Sequence, residues 1–132
     1  PGYIIHLTAA NFFLNSLPFS HSQTNQKPKN AFLVGNLLPD TVKDKFHSHF
    51  RSPDTLQEIV QYPILQKFLN KYQGLLSDSS VQGYLFHLYT DTVFFTRIYA
   101  PYRALYGQTV EEKPQRRQYS LGRDPKDKEK IK

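Results

Sequence analysis

One apolar stretch of the sequence, GYLFHLYTDTVFF at residues 83–95, contains an imidazole and a carboxylate. His87 and Asp91 are four residues apart, so on a helix they lie on neighbouring turns of one face. A carboxylate that loses its water without gaining a partner either becomes protonated or costs several kcal/mol. Two interpretations stay open: a hydrogen-bonded His–Asp pair in the core, or a metal ion that offsets both desolvation penalties.

Other histidine and aspartate residues occupy similar surroundings. His6 lies on an apolar helical face, where a core histidine is the alternative, and Asp40 ends a short apolar segment, where a turn residue is the alternative. His47 and His49 point in nearly opposite directions on a helix, and their spacing does not choose between them. Several such residues in one small chain suggest convergence on one site. Nitrogen and oxygen ligands suit zinc or another divalent first-row metal.

The elements that must position these side chains are all helical. Apolar residues recur at helical spacing, and no run alternates like a strand over a useful length. The predicted helices span residues 3–17, 30–38, 53–61, 63–72 and 79–100. The apolar face predicted for the first helix is His6, Ala10, Phe13 and Leu17. The seam predicted for the last helix is Val81, Tyr84, Leu88, Asp91, Phe95, Ile98, Tyr102 and Leu105. The predicted class is therefore all-α, a single-domain bundle of about five helices.

Helix ends are predicted from capping residues and prolines. Asn30 is a plausible N-cap of the second helix, which is expected to end at Pro39. Pro63 is expected to separate the third and fourth helices. Pro101 is expected to break the last helix or to begin a short extra turn that ends at Gly107.

Composition limits the classes that fit. The 132 residues suit one domain, and the absence of Cys excludes disulfides and thiolate sites. No stretch approaches the roughly 18 consecutive apolar residues of a transmembrane helix. The first residues lack a basic leader and a cleavage site, so no signal peptide is predicted and a cytoplasmic location is expected.

The net charge of +6 is concentrated towards the end of the chain. Residues 108–132 mix both signs without helical periodicity, which predicts a charged, flexible tail after a helical metal-binding domain at residues 1–107. An arm that contacts phosphate or membrane is the alternative. Nucleic acid is not an expected partner, because a nucleic-acid binder usually shows a basic stripe on a folded face.

Four short motifs, in the order PGYIIHL, AFLVGNLLPD, SHF and GYLFHLYTD, resemble those of the zinc-dependent phospholipase C-like proteins. These are all-α metallohydrolases that are similar in fold to P1-type nucleases, and the resemblance covers roughly residues 1–95. It implies the metal ligands His6, Asp40, His49, His87 and Asp91. His49 is preferred to His47 because it matches through SHF. Secreted members carry a further His and an H-x3-E pair on later helices, whereas this sequence has no His after His87.

The resemblance implies hydrolysis of an anionic phosphoester or phospholipid, with one or two zinc ions as cofactor. Asp91 would bridge two ions, and Asp40 and Asp91 are the expected catalytic carboxylates. Lys43, Lys45 and Arg51 flank the histidine segment and are candidates for binding phosphate, with ordinary surface charge as the alternative. The rival interpretation is a noncatalytic helical domain, in which a structural metal or a His–Asp network supports the binding of a partner. The sequence leaves the oligomeric state open.

Overall fold

The structure is a computed structural model that describes residues 1–18, 26–55 and 60–106. Within these ranges the chain is all-α, which confirms the predicted class. The helices are α1 (Tyr3–Ser16), α2 (Gln26–Thr41), α3 (Lys45–Ser48), α4 (Leu65–Tyr72), α5 (Ser79–Phe94) and α6 (Ala100–Tyr106). A π-helical turn at Phe95–Tyr99 joins α5 to α6. The predicted tail at residues 108–132 lies outside the described residues, so the division into a domain and a tail stays a prediction.

The closest helix packing in the described part joins α2 to α5. A Cβ atom at Gly35 would overlap the backbone carbonyl of Ser80, and one at Gly83 would overlap that of Phe32. The two backbones therefore meet at their glycines. The Asn36 side chain adds a bond across this contact, with Nδ2 donating to the Gly83 carbonyl at 3.4 Å. This crossing fixes α5 against the end of α2 that bears Asp40.

Helix α1 is confirmed, but its buried face differs from the predicted one. His6 and Ala10 are buried as expected, and the row continues to Leu14. Phe13 and Leu17 were predicted on this face, and both are exposed. Leu14 packs with Ala10 and Phe32 in a small core, whereas the ring of Phe13 covers only the edge of that core.

Helix α2 is longer than predicted at both ends. It begins at Gln26, and Asn30 is an interior residue whose Oδ1 accepts from Gln26 Nε2 at 2.8 Å. Pro28 is tolerated because N–H groups in the first turn have no helical partner. Pro39 lies inside the helix near its end, where it removes only the bond to the Gly35 carbonyl. The prediction that the helix ends at Pro39 was therefore wrong by two residues.

The segment before α4 is less helical than predicted. Its described parts are a 3₁₀ turn at Pro53–Thr55 and an irregular stretch at residues 60–64. The single α-helix predicted at residues 53–61 is therefore absent at the two ends that the structure describes, and that part of the prediction was wrong. Tyr62 precedes Pro63, and a residue before proline is pushed out of the α region. The second predicted helix begins only at Leu65.

The long helix passes Pro101 without breaking. Proline cannot donate to the previous turn, and the preceding π-helical turn adjusts the backbone, with the Ala100 N–H donating to the Phe95 carbonyl. Of the predicted seam, Leu88 and Asp91 are buried, but Ile98, Tyr102 and Leu105 are exposed. In the described ranges, no helix combines the length and apolar character needed to cross a bilayer.

Candidate metal centre

Four parts of the chain bring five polar side chains together. We call the set the His–Asp cluster, and its members are His6, Asp40, His49, His87 and Asp91. They form two overlapping groups, His6–Asp40–His87 and His49–His87–Asp91, in which the candidate ligand atoms lie within 4.8 Å of one another. Helix α1 supplies the first residue, the end of α2 the second, the turn after α3 the third, and α5 the last two. These are the five residues implied by the sequence resemblance.

Asp91 lies at the middle of the cluster. Its Oδ1 is 3.2 Å from His6 Nε2 and 3.2 Å from the amine of Pro1. Its Oδ2 is 3.5 Å from His49 Nε2 and 3.7 Å from His87 Nε2. Burial raises the pKa of Asp91, but His6, the Pro1 amine and His87 outweigh burial and hold that pKa below its usual value. Asp91 is therefore a carboxylate with both oxygens directed at nitrogen atoms.

The hydrogen bonds of His87 and His49 determine which ring nitrogens carry lone pairs. His87 Nδ1 donates to the Asn36 carbonyl at 2.8 Å, and His49 Nδ1 donates to the Lys45 carbonyl at 2.9 Å. Because a carbonyl only accepts, the Nε2 atom of each neutral ring bears a lone pair. These two Nε2 atoms lie 3.2 Å apart. Burial lowers the pKa of His87 to about 4 and also lowers that of His49, so both rings are neutral at pH 7.

His6 adds a third imidazole to the cluster. Its ring stacks on that of His87, with 3.6 Å between centroids and 13° between planes. The side chain is completely buried; its Nδ1 has no hydrogen-bond partner among the described residues, and its Nε2 lies 3.2 Å from Asp91 Oδ1. Buried polar atoms without partners are costly. Lone pairs that face each other beside a carboxylate, together with this buried imidazole, fit a divalent cation with the nitrogen and oxygen preferences of zinc.

Asp40 forms the more open edge of the cluster. Its Oδ1 lies 3.4 Å from His49 Nε2 and 3.8 Å from Lys45 Nζ, and its side chain is 17% exposed. Lys43 is exposed in the turn after α2. Arg51 is half-buried, and its Nε has no hydrogen-bond partner within the described ranges. Of the three phosphate-binding candidates, the structure thus places Lys45 in direct contact with a cluster member.

A family model of zinc-dependent phospholipase C matches residues 5–96. The chain belongs to this family. All five members of the His–Asp cluster lie inside the matched range, and the all-α fold agrees with it. No curated protein and no solved structure matches the chain.

Among the histidines that the structure describes in this phospholipase C family chain, His47 lies outside the cluster. Its side chain is 80% exposed, and its Nδ1 lies 2.6 Å from Asp44 Oδ2. The backbone N–H of His47 also donates to Asp44 and holds the pKa of that carboxylate below its usual value. His47 lies in α3 and His49 directly after it, so the two side chains diverge as helical geometry requires.

Two positioning residues were not singled out from the sequence. Asn36 is completely buried, and its backbone carbonyl orients His87. Its signal was a lone amide inside the apolar stretch AFLVGNLL. Tyr84, one turn before His87, donates its hydroxyl to the Ser48 carbonyl at 2.7 Å, and burial raises its pKa to about 12. The sequence predicts Tyr84 in an apolar seam and gives no sign of this bond.

An aromatic cluster supports the turn that carries His49. Phe50 has a left-handed backbone (φ 51°), which turns the chain immediately after the histidine. Its ring packs on Phe68, which is completely buried and also contacts Tyr84. The Phe50 carbonyl accepts from the Ile64 N–H at 3.0 Å. The position of His49 therefore depends on α4 and α5 as well as on its own segment.

Proposed function

We propose that this chain is a zinc-dependent hydrolase of the phospholipase C type that cleaves a phosphoester. One observation carries the proposal. The Nε2 atoms of His49 and His87 lie 3.2 Å apart beside Asp91, and each bears a lone pair. Two neutral imidazoles do not stabilise each other in this arrangement, whereas a cation shared with the carboxylate satisfies all three groups. The family match supports zinc as that cation.

The five side chains of the cluster would hold the metal. His49, His87 and Asp91 form one group and His6, Asp40 and His87 the other, so the set can hold one ion or, with a shared carboxylate, two. Bound zinc supplies Lewis acidity towards a phosphoryl oxygen and lowers the pKa of a bound water towards about 7. The carbonyls of Asn36 and Lys45 fix the imidazole tautomers, which keeps the ligand atoms directed inwards.

A phospholipid is the substrate that the family description favours. The net charge of +6 attracts anionic molecules in general. Lys45 contacts Asp40, the most exposed member of the cluster, and is suited to contact a phosphate there. Asp40 and Asp91 are the carboxylates proposed to act in catalysis. A cytoplasmic location stays a prediction.

One observation favours the second candidate, a noncatalytic domain with a structural metal. Four of the five cluster side chains are at most 5% exposed, and structural zinc sites are closed, whereas catalytic sites keep an open position. Asp40 is the exception, and the enzyme proposal requires that substrate enter beside it. The two candidates share the metal and differ in turnover.

The test uses two histidines two residues apart, one inside the cluster and one outside. Zinc content and hydrolysis of a water-soluble chromogenic phosphodiester are measured for the wild type, His49→Ala and the matched control His47→Ala. We expect His49→Ala to lower zinc affinity and turnover by more than about 100-fold, because removing an outer-shell partner alone costs 10–100-fold. His47→Ala should match the wild type. A wild type that binds zinc through His49 but hydrolyses neither this compound nor phospholipid would overturn the enzyme proposal in favour of the structural metal.

A further inference from the structure

The hydroxyl of Ser48 connects the segments that carry two members of the His–Asp cluster. Ser48 is half-buried at the end of α3, and its Oγ lies 2.9 Å from the Pro39 carbonyl and 3.0 Å from His49 Nδ1. Pro39 directly precedes Asp40 in α2. One small side chain therefore bonds both to His49 itself and to the residue next to Asp40.

The direction of each of these bonds follows from the atoms involved. His49 Nδ1 lies 2.9 Å from the Lys45 carbonyl, which only accepts, so this nitrogen carries the proton. The same Nδ1–H is shared with Ser48 Oγ, which accepts it. The Ser48 hydroxyl then donates to the Pro39 carbonyl at 2.9 Å, which is closer than the Lys45 carbonyl at 3.3 Å. We call this chain of bonds, from His49 through Ser48 to Pro39, the Ser48 relay.

The relay also provides a partner at the end of α2. The last four carbonyls of an α-helix have no partner within the helix, and in α2 they belong to residues 38–41. The Leu38 carbonyl accepts from the Thr41 hydroxyl at 2.9 Å, so this bond stays inside α2. Pro39 is completely buried, and its carbonyl accepts from Ser48 instead. Ser48 therefore ties the end of α2 to the segment that follows it.

We propose that Ser48 is a positioning residue that couples the two ligand groups of the metal centre. His49 belongs to one group and Asp40 to the other, and His87 belongs to both. The relay fixes the backbone beside Asp40 relative to His49, and Asp40 Oδ1 lies 3.4 Å from His49 Nε2. The inference rests on the proposed function, because it takes these side chains to be metal ligands.

Metal binding and the Ser48 relay should strengthen each other. A ligand histidine depends on the partner of its second ring nitrogen for its tautomer and orientation. Ligation at His49 Nε2 makes Nδ1–H a stronger donor, and hydrogen bonds in a chain polarise one another. Asp40 depends most on this support, because its side chain is 17% exposed and those of the other cluster members are at most 5% exposed.

Zinc titration of the metal-free full chain compares Ser48→Ala with the matched control Thr41→Val. Each variant loses one hydroxyl that caps a carbonyl at the end of α2, but only the Ser48 hydroxyl also bonds to a cluster member. We expect zinc affinity to fall about tenfold or more in Ser48→Ala, as for other outer-shell partners, and to stay at the wild-type value in Thr41→Val. Both variants should lower the thermal midpoint of the metal-free chain by no more than about 8 °C.

A double-mutant cycle with Asp40→Asn separates coupling from a general loss of stability. The group of His49, His87 and Asp91 remains in Asp40→Asn, so zinc affinity stays measurable there. In this background Ser48→Ala should lower zinc affinity by less than about threefold, because one end of the coupling is already absent. The same factor in both backgrounds, wild-type affinity in Ser48→Ala, or an equal loss in Thr41→Val would each overturn the inference.

Hydrolysis separates this inference from the proposed function. If zinc affinity shows the coupling but neither the soluble phosphodiester nor phospholipid is cleaved, Ser48 positions the ligands of a structural metal and the enzyme proposal fails. If Ser48→Ala binds zinc and cleaves the phosphodiester as the wild type does, the inference fails and the enzyme proposal stands. A wild type that binds no zinc would overturn both.

Discussion

Helix α5, the π-helical turn and α6 form one long helix, whose two halves differ in what they bury. The first half buries polar side chains, and the second half exposes apolar ones. In the first half, at residues 83–91, His87 and Asp91 are buried. In the second half, at residues 95–106, the large apolar side chains Ile98 and Leu105 are exposed. Both halves have apolar residues at helical spacing. Because both halves have the same hydrophobic periodicity, periodicity does not explain which residues are buried. Residues are buried where another helix backbone packs closely and where polar groups converge.

A packing partner distinguishes the halves. Residues 83–91 lie against α2, where Gly35 and Gly83 permit contact between backbones. In the described part of the chain, α6 packs extensively only on the turn that precedes it. In the metal proposal, the buried half depends in addition on a cation.

Removal of metal should affect only the first half of the helix. At free zinc about 1,000-fold above the dissociation constant, binding adds about 4 kcal/mol to stability. Hydrogen exchange of zinc-loaded chain should therefore accelerate at residues 83–91 when a chelator is added, with little change at residues 100–106. Chelator already saturated with zinc is the control. Equal acceleration in both halves would show that the contrast does not depend on metal.

The contact between α2 and α5 at Gly35 and Gly83 should not tolerate an added methyl group. Gly83→Ala places a Cβ against the Phe32 carbonyl, which cannot rotate away, and we expect a loss of about 3 kcal/mol in the free energy of unfolding. Gly74→Ala is the control, because nothing lies within 4 Å of a Cβ there. Denaturant unfolding measures both. Equal stability of the two variants would rule out close backbone contact as the cause of burial.

The hydroxyl of Tyr84 should contribute to zinc affinity through the turn that carries His49. Tyr84→Phe removes the bond to the Ser48 carbonyl, which should cost about 1 kcal/mol of stability. We expect zinc affinity to fall about tenfold, as for other outer-shell partners of metal ligands. Tyr89→Phe, at an exposed tyrosine of the same helix, should change neither quantity. Unchanged zinc affinity in Tyr84→Phe would limit the bond to a structural role.

Substitution in the second half should have the smallest effect. Leu105→Ala should change the free energy of unfolding by less than about 0.5 kcal/mol, because Leu105 is exposed. Leu88→Ala, in the buried half, should cost about 2–5 kcal/mol. Thermal or denaturant unfolding compares the two variants. If Leu105→Ala lowered the free energy of unfolding as much as Leu88→Ala, another surface would have to cover α6.

The five residues implied as ligands by the sequence resemblance lie together in the structure, and their role as ligands stays a prediction, whereas the bounds of several predicted helices were wrong. His87 and Asp91 stand out because each is a polar residue in an apolar stretch, and their pairing depends only on helical spacing. The grouping of His6, Asp40 and His49 came from the order of motifs, since spacing alone left each with an alternative. Their proximity in the structure is a long-range property that no local pattern contains.

The errors have identifiable causes. Asn30 was predicted as an N-cap and Pro39 as the end of the helix, yet α2 begins at Gln26 and tolerates Pro39 near its end, so α2 is longer than predicted. The seam of the long helix was wrong beyond Phe95 because periodicity identifies an apolar face but not the presence of a partner. The side-chain amide of Asn36 is visible in the sequence as a lone polar residue, but the group that orients His87 is the Asn36 backbone carbonyl, which every residue has.

Zinc titration of metal-free protein by calorimetry tests the central claim most directly. Asp91→Asn keeps the size of the side chain at the middle of the cluster and removes its charge, and Asp44→Asn makes the same change at an exposed aspartate. The account predicts that the wild type and Asp44→Asn bind zinc with equal affinity and that Asp91→Asn binds it far more weakly. A wild type that binds no zinc, or an Asp91→Asn variant that binds it equally well, would contradict the claim that a cation gathers these side chains.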